Sequence, residues 1–240
     1  MEKEEIYKHI NDIEVRTSLM RGIKSYAIRN NVLDDNQKKS VEAYFPEYAV
    51  VFKDEFTDPR TLFVDPSKPV IIEIGFGMGT STEIIARERK DYNYLCLEVY
   101  LQGFVRLLKA VGEEKMPNIK LMRFNAVDVL EHMIPDNSID GFHIFFPDPW
   151  PKKKHHKRRL IQKDFVNLLA KKLKKGGYLY LVTDWEEYAE WMVEILSAEQ
   201  LLENPYECYA PPREWRPRTK FEQKGLDKDY KINEIWFVKK

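Results

Sequence analysis

The feature that most constrains the fold is a repeated alternation of short apolar runs with amphipathic segments, which starts at Val70. The apolar runs are VIIEIG (70–75), NYLCLEV (93–99), IKLMRFN (119–125), IDGFHIFF (139–146), YLYLVTD (178–184) and KINEIWFVKK (231–240). The amphipathic segments, which predict helices, are residues 80–90, 101–114, 159–175 and 185–199. Apolar runs of this length are typical of strands buried on both faces. Strands that alternate with helices predict an α/β fold with a doubly wound sheet.

Residues 1–60 do not follow this alternation. They carry mixed charge, helix-like patches and a proline-punctuated end, and they predict an N-terminal extension. We therefore divide the chain into an extension (1–60) and one domain (61–240), which is long enough to bury a large core. Ser and Thr residues near the start of the first predicted helix are available to cap it, and Gly176 and Gly177 are expected to follow the end of the third.

Composition excludes several classes of protein. No apolar run approaches the roughly 20 residues that a membrane span needs, and the N-terminus MEKEEIYKHI lacks the apolar core of a signal peptide. The two cysteines, Cys96 and Cys208, lack the CxxC spacing of a zinc or redox site. We therefore expect a cytoplasmic protein that uses no metal and does not contact a membrane.

Polar residues and glycines collect where the predicted strands end. These residues are Glu73, Gly75, Gly77, Gly79, Glu98, Asn125, Asp148 and Asp184. In a doubly wound sheet the carboxyl ends of the strands meet at one edge, and ligands bind there, near the switch in strand order. We therefore expect these residues to surround a ligand.

The glycine spacing after the first strand is GxGxG, whereas a dinucleotide fingerprint, GxGxxG, would need glycine at Thr80. Glu73 would repel a pyrophosphate but suits a ligand with cationic groups, such as S-adenosylmethionine. Glu98 ends the next strand, where a carboxylate commonly binds ribose hydroxyls. The amide of Asn125 could bond an adenine edge. The alternative is that the glycines only form a strand-to-helix turn.

The segment FFPDPWPKKKHHKRR (145–159) places one acid, Asp148, between two prolines and directly before a basic run. Lys and Arg number 39, as do Asp and Glu, but six of the basic residues lie within residues 152–159. A positive patch on an otherwise acidic chain predicts a polyanion site such as nucleic acid. His155 and His156 lie among cations, so we expect them to hydrogen-bond phosphate or sugar. The alternatives are a rigid turn at Asp148 and a solvated basic loop after it.

Several motifs together resemble the bacterial tRNA (guanine-N7-)-methyltransferases. The motifs are FPDPWPKKKHHKRR, EIGFGMG, LEVY, NAVDVL, VTDWEEYAEWM, TKFEQKG and the upstream stretch RGIKSYAIRNNVLDDNQKKSVEAYFPEY, so the resemblance covers about residues 21–240. It implies a class I methyltransferase fold, which is Rossmann-like with a mostly parallel seven-stranded sheet. It also implies methyl transfer from S-adenosylmethionine to N7 of a guanine in tRNA, at nucleotide 46 of the variable loop, with S-adenosylhomocysteine as the other product.

The resemblance also implies roles for individual residues. Cofactor contacts would come from Glu73, Gly75, Gly77, Gly79, Glu98, Asn125 and Asp148, and Asp148 would also be the catalytic residue. Substrate contacts would come from Lys152, Lys154, His155, His156, Lys157, Arg158, Arg159, Asp184, Thr219, Lys220, Phe221 and Glu222. Lys154 stands where the family often has arginine, which would weaken a bidentate phosphate contact. Asn125 stands where aspartate also occurs.

Without that resemblance, Asp184 would be interpreted as a helix cap, and both roles can coexist. Two further functions are compatible with the sequence. A small-molecule S-adenosylmethionine methyltransferase would turn over without RNA, and an RNA-binding protein with a vestigial cofactor fold would not bind S-adenosylmethionine. We expect a monomer or a homodimer with tRNA as its partner.

Overall fold

The computed structural model describes residues 1–13, 32–218, 222–223 and 230–240. Seven strands form one sheet: β1 (Val70–Ile74), β2 (Asn93–Leu97), β3 (Ile119–Met122), β4 (Ile139–Phe145), β5 (Leu173–Thr183), β6 (Leu202–Glu203) and β7 (Asn233–Lys239). The helices are α1 (Lys3–Asn11), α2 (Asp35–Tyr48), α3 (Thr80–Glu88), α4 (Leu101–Glu114), α5 (Ala126–His132), α6 (Lys163–Lys172) and α7 (Glu186–Ser197). Two short 3₁₀ helices cover Pro59–Leu62 and Lys153–Arg158.

The strand order in the sheet is β3-β2-β1-β4-β5-β7-β6. The strands from β3 to β5 pair in parallel, and β7 is antiparallel to both β5 and β6. Chain order reverses between β1 and β4, which lie side by side at the centre. The doubly wound, mostly parallel seven-stranded sheet predicted from the sequence is therefore confirmed, and its switch point lies at the carboxyl ends of β1 and β4.

Apolar side chains on the two faces of the sheet form two cores. Val70 and Ile72 face one core, which contains apolar residues of α5, α6 and α7. Ile71, which alternates with them, faces the other, which contains residues of α1 to α4. Ile6 of α1 and Phe45 of α2 belong to this second core. The helices before residue 60 thus share a core with the sheet, and the division of the chain at residue 60 stays a prediction.

The boundaries of one predicted helix were wrong. The helix expected over residues 159–175 is shorter, because α6 begins at Lys163 and ends at Lys172. Leu173 is fully buried and pairs with Ile139, so the main chain enters the sheet before the two glycines are reached. A register shift between Ile139 and Gly141 accommodates the extra residues of β5.

Two further elements and one cap differ from expectation. Helix α5 and the two-residue strand β6 were not predicted from the sequence. The N-cap of α3 is Gly79, in the left-handed conformation and without a side-chain cap. The Thr82 hydroxyl instead donates to Glu73. No helix in the described ranges combines the length and apolarity needed to cross a membrane.

Candidate active site

A cavity of about 210 Å³ opens at the carboxyl ends of β1, β2 and β4. Its lining residues include Ile74, Gly75, Glu98, Phe124, Asn125, Phe145, Asp148 and Leu160. This is the switch point of the sheet, where ligands bind in doubly wound folds. Four of the predicted site residues, Gly75, Glu98, Asn125 and Asp148, are thus brought together at one cavity.

The glycine loop adopts a conformation that favours glycine, because Gly75, Gly77 and Gly79 have φ angles of 78°, 57° and 71°. A Cβ atom on Gly79 would lie 2.7 Å from Leu107 of α4. A Cβ atom on Gly103 of α4 would overlap the carbonyl oxygen of Gly77. The loop therefore lies directly on α4. Gly103 was missed in the sequence, although a glycine inside a helical pattern is a signal of close approach.

Glu98 holds this loop through hydrogen bonds from the main chain. One oxygen, Oε2, accepts from the N–H of Gly77 at 2.7 Å. The other, Oε1, accepts from the N–H groups of Val99 and Tyr100 at 2.7 and 2.9 Å. Burial raises the pKa of this carboxyl, whereas the three main-chain donors act in the opposite direction. Its contact with a ribose stays a prediction.

Glu73 lies in β1, two residues before the glycine loop begins, and is 3 % exposed. Its Oε1 accepts a hydrogen bond of 2.9 Å from the Thr82 hydroxyl. Among the described residues, its buried Oε2 has no hydrogen-bond partner. Burial raises the pKa of the Glu73 carboxyl to about 8, and the charge of Glu98 acts in the same direction. A buried carboxyl oxygen without a partner is suited to a cationic ligand group, whose approach would favour the ionised form and supply the missing donor.

Asn125 is the N-cap of α5, and its side-chain oxygen accepts from the N–H of Val127 at 3.0 Å. Its own main-chain N–H donates to the carbonyl oxygen of Ile13 at 2.7 Å. Arg123 is buried and donates to the carbonyl oxygen of Ile10. The N-terminal segment therefore reaches the rim of the cavity.

Asp148 is exposed and lines the cavity from the segment that follows β4, whereas Asn125 lines it from the segment that follows β3. The residues on either side of the Pro-Asp-Pro unit, Phe146 and Trp150, have positive φ angles of 50° and 45°. Such angles are uncommon for residues other than glycine and store strain. The N–H of Phe146 donates to the carbonyl oxygen of Val182 at 2.7 Å, which joins the start of this segment to β5.

Asp184 directly follows β5, the strand beside β4, so both acids lie at the same edge of the sheet. The expectation that Asp184 caps the next helix was wrong. The N-cap of α7 is Trp185, which makes no side-chain cap, and its N–H donates to the Thr183 hydroxyl at 3.2 Å. Asp184 is partly exposed, so its contact with substrate stays a prediction.

The basic run forms the 3₁₀ helix Lys153–Arg158. The residues exposed on it and just before it are Lys152, Lys153, Lys154, Lys157 and Arg158. The Arg158 guanidinium lies over the Trp150 ring at 4.8 Å, and His155 meets that ring edge-on at 6.0 Å. Burial and the surrounding cations lower the pKa of His155. This surface carries positive charge and an aromatic ring, both suited to nucleic acid.

Arg159, the last residue of the run, requires a correction, because it was expected to meet RNA. Its side chain is 0 % exposed, and it donates to both oxygens of Glu187 on α7 at 3.1 and 2.6 Å. The partly buried His156 lies 3.1 Å from the same guanidinium. Glu187 was not predicted from the sequence, since one more acid in the acidic start of a helix gives no distinctive signal.

The segment near the C-terminus is described only in part. Thr219, Lys220 and Phe221, which were predicted to contact substrate, lie outside the described residues. Glu222 is 5 % exposed and accepts from Arg216 at 2.7 and 3.0 Å. Arg216 also donates to Glu234 of β7 at 2.6 Å. Glu222 thus forms a buried ion pair that ties this segment to the sheet, and a direct contact with substrate stays a prediction.

Within residues 1–13, 32–218, 222–223 and 230–240, no group of three or more His, Cys, Asp or Glu side chains is arranged to hold a metal ion.

Comparisons with known proteins agree with this geometry. A family model described as "Putative methyltransferase" matches residues 67–235. Among solved structures, the 16S rRNA methyltransferase KamB superposes with a TM-score of 0.55 at 12 % identity, covering 80 % of this chain and 97 % of that one. The aminoglycoside resistance methyltransferase NpmB1 superposes with a TM-score of 0.51 at 13 % identity, covering 80 % and 96 %. At these identities the superpositions support the class I methyltransferase fold alone.

Relatives identified by sequence share a much higher identity with this chain than these two solved structures do. A tRNA (guanine-N(7)-)-methyltransferase of Nitrosospira multiformis is 45 % identical over 226 residues, which cover 94 % of this chain and 98 % of the relative. The protein of the same name from Methylobacillus flagellatus is 44 % identical over 220 residues, which cover 92 % of each chain. Identity at this level over nearly the full length of both proteins means that the chain belongs to the tRNA (guanine-N(7)-)-methyltransferase family.

Proposed function

We propose that this chain transfers a methyl group from S-adenosylmethionine to N7 of a guanine in tRNA, at nucleotide 46 of the variable loop. The observation that carries the proposal is the position of Asp148. It lies on the rim of the cavity at the switch point, and the basic 3₁₀ helix Lys153–Arg158 follows within the same loop. A methyl-donor site and a polyanion site are therefore adjacent. The names of the relatives support the same substrate.

The residues that line the cavity fit S-adenosylmethionine together with Glu73, which directly precedes the lining residues Ile74 and Gly75. The unpartnered Oε2 of Glu73 is suited to the ammonium group, and ionisation of that carboxyl would follow from the approach of a cation. Glu98 and Asn125 line the cavity where a ribose and an adenine would be bound. The carboxylate of Glu98 already accepts the N–H of Gly77 in the glycine loop, and a negative charge there disfavours a pyrophosphate, which argues against a dinucleotide. When bound, S-adenosylmethionine supplies an electrophilic methyl group.

The protein has a limited chemical task in this reaction. N7 of guanine carries a lone pair and no proton, so the attack needs no general base. The chain must place N7 in line with the methyl group and favour the positive charge that develops on the purine. Asp148 is proposed to do both by accepting hydrogen bonds from the base edge. Asp184, which follows the neighbouring strand, is proposed as a second anchor for the base.

The exposed cations bind the RNA in this proposal. Lys152, Lys154, Lys157 and Arg158 would contact phosphates and release counterions. Arg159 is left out of this set because its guanidinium is buried against Glu187. As a tRNA-modifying enzyme, the protein is proposed to work in the cytoplasm.

The experiment that tests the proposal is to incubate the purified protein with total tRNA and S-adenosylmethionine labelled in the methyl group, and then to map the label. We expect 7-methylguanosine at one variable-loop position. A transcript with adenine in place of that guanine is the matched control and should remain unlabelled. Label on a different nucleotide or a different ring atom would contradict the proposal, as would turnover of small acceptors with no transfer to tRNA.

A further inference from the structure

The segment that carries Asp148 is held in a conformation that its own sequence does not favour. Phe146 and Trp150 have positive φ angles, which cost energy for residues with a side chain. Prolines restrict the main chain only at residues 147 and 149. A strained segment persists only when its surroundings impose the conformation, so contacts from elsewhere must hold it.

Arg159 supplies such a contact. Its Nε donates to the main-chain carbonyl oxygen of Pro149 at 2.9 Å, one residue after Asp148. Its two terminal nitrogens donate to the two oxygens of Glu187 on α7 at 3.1 and 2.6 Å. A planar guanidinium is suited to this arrangement, because its five N–H groups point in fixed directions.

The surroundings of Arg159 fix the guanidinium in turn. The side chain is 0 % exposed, and the guanidinium lies 4.8 Å from the Tyr188 ring and 5.2 Å from the Trp191 ring. A buried cation requires a carboxylate partner, and Glu187 is that partner. The next residue, Leu160, lines the cavity together with Asp148. The contacts of Arg159 thus connect the cavity wall, the strained segment and α7.

We propose that Arg159 is a positioning residue. Together with Glu187 it fixes the position of Asp148 relative to the start of α7. Asp184 lies two residues before the first residue of α7, so the same contacts set the spacing between Asp148 and Asp184. The proposal rests on the proposed function, because it assigns Arg159 to the positioning of the catalytic acid. It replaces the expectation that Arg159 binds RNA.

The test compares Arg159→Lys and Glu187→Gln with the wild-type protein. Lysine keeps the charge but cannot bond Pro149 and both oxygens of Glu187 together. Glutamine at position 187 keeps the shape and one acceptor oxygen but removes the charge that pairs with buried Arg159, so we expect the free energy of unfolding to fall as well as the rate. The single-turnover rate of methyl transfer at saturating tRNA should fall at least about tenfold in each variant. The dissociation constant for tRNA should change less than about threefold, with an unchanged salt dependence.

Two comparisons separate positioning from a general loss of structure. If Arg159 and Glu187 act as one unit, the double variant should be about as slow as the slower single variant. Arg87→Lys is the control, because Arg87 also binds both oxygens of a glutamate, Glu114, but on the surface and not among the residues that line the cavity, and its rate should be unchanged. Thermal unfolding of all variants confirms that each rate refers to folded protein.

Three outcomes would overturn the inference. A wild-type rate in Arg159→Lys would show that the simultaneous hydrogen bonds of the guanidinium to Pro149 and Glu187 are not needed. Arg159→Lys could instead bind tRNA more weakly and have a normal rate at saturating tRNA. If the slope of log affinity against log salt also fell by about one, Arg159 would belong to the RNA-binding surface. Strictly additive losses in the double variant would show that the two residues act separately. Absence of methyl transfer to tRNA by the wild-type protein would instead overturn the proposed function itself.

Discussion

The carboxylate of Glu98, which directly follows β2, accepts a hydrogen bond of 2.7 Å from the main-chain N–H of Gly77, 21 residues earlier in the glycine loop. The same carboxylate binds the two N–H groups that follow it. Glu98 is therefore part of the structure of the loop before any ligand arrives. A ligand that binds Glu98 meets a carboxylate whose orientation is already set, which lowers the cost of ordering on binding.

Replacement of Glu98 tests this relationship. In Glu98→Gln one acceptor oxygen becomes an NH₂ group, so at least one of the three main-chain donors loses its partner. We expect the free energy of unfolding to fall by about 2 kcal/mol and the affinity for S-adenosylhomocysteine to fall by at least about tenfold. Urea unfolding and titration calorimetry measure the two effects. Glu114→Gln, on an exposed ion pair with Arg87, is the control, and unchanged affinity in Glu98→Gln would contradict the prediction.

The close approach of α4 to the glycine loop leads to a second prediction. A Cβ atom on Gly103 would overlap the Gly77 carbonyl, so Gly103→Ala must displace the loop. We expect a loss of about 1–3 kcal/mol in the free energy of unfolding and weaker binding of S-adenosylhomocysteine. Gly112→Ala is a matched control on the same helix, because the three atoms nearest to its Cβ atom would all belong to the Tyr44 side chain and none to the glycine loop. It should lose stability without losing affinity. Equal affinities in the two variants would contradict the prediction.

The raised pKa of Glu73 predicts a pH dependence of stability. Between pH about 4.5 and about 8 the native carboxyl keeps a proton that the unfolded chain has released. The native state then binds more protons, so stability falls as pH rises through this window. In Glu73→Gln this contribution is absent. The variant should gain stability relative to wild type as pH rises from 5 to 7.5, by at most about 1.4 kcal/mol per pH unit.

Denaturant unfolding at several pH values measures this difference. Subtracting the variant from the wild type cancels the contributions of buried titratable groups that are not coupled to Glu73, such as His143, whose pKa is lowered by burial. A difference that does not change with pH would show that the native carboxyl of Glu73 is ionised throughout the window.

The role of Asp148 can be separated from RNA binding. Asp148→Asn removes the charge but keeps the shape, so the developing positive charge on guanine loses its stabilisation. We expect the single-turnover rate to fall by about 10²–10³-fold, with the dissociation constant for tRNA changed less than about threefold. Rapid-quench methylation and filter binding are the measurements. Asp164→Asn on the exposed surface of α6 is the control. A near-normal rate in Asp148→Asn would remove the catalytic assignment.

The exposed cations of the basic 3₁₀ helix should control the salt dependence of tRNA binding. Charge reversal by Lys157→Glu together with Arg158→Glu should weaken binding and reduce the slope of log affinity against log salt by about one for each phosphate that the protein no longer binds. Lys90→Glu with Lys171→Glu reverses the same number of exposed charges elsewhere and is the control. If both double variants gave the same slope, the helix would be a solvated surface with no part in RNA binding.

Much of the fold could be predicted because it depends on short-range patterns. The buried parallel strands are continuous apolar runs, and their ends carry the acids and glycines that line the cavity. The helix predicted over residues 101–114 is confirmed in its full length. Predictions were less accurate where long-range contacts determine the end of an element. Helix α6 is an example, because Leu173 leaves the helix to pair with Ile139.

The sequence by itself determined the order of the strands and helices other than α5 and β6, the position of the polar residues at the strand ends and the place of the basic run next to Asp148. The periodicity of apolar residues and the spacing of glycines carry that information locally. Only the tertiary structure decided which charges face solvent. Arg159 looks like its basic neighbours, but Glu187, 28 residues later on α7, neutralises and buries it. The partner of a buried charge depends on packing between distant segments, which the order of residues along the chain does not reveal.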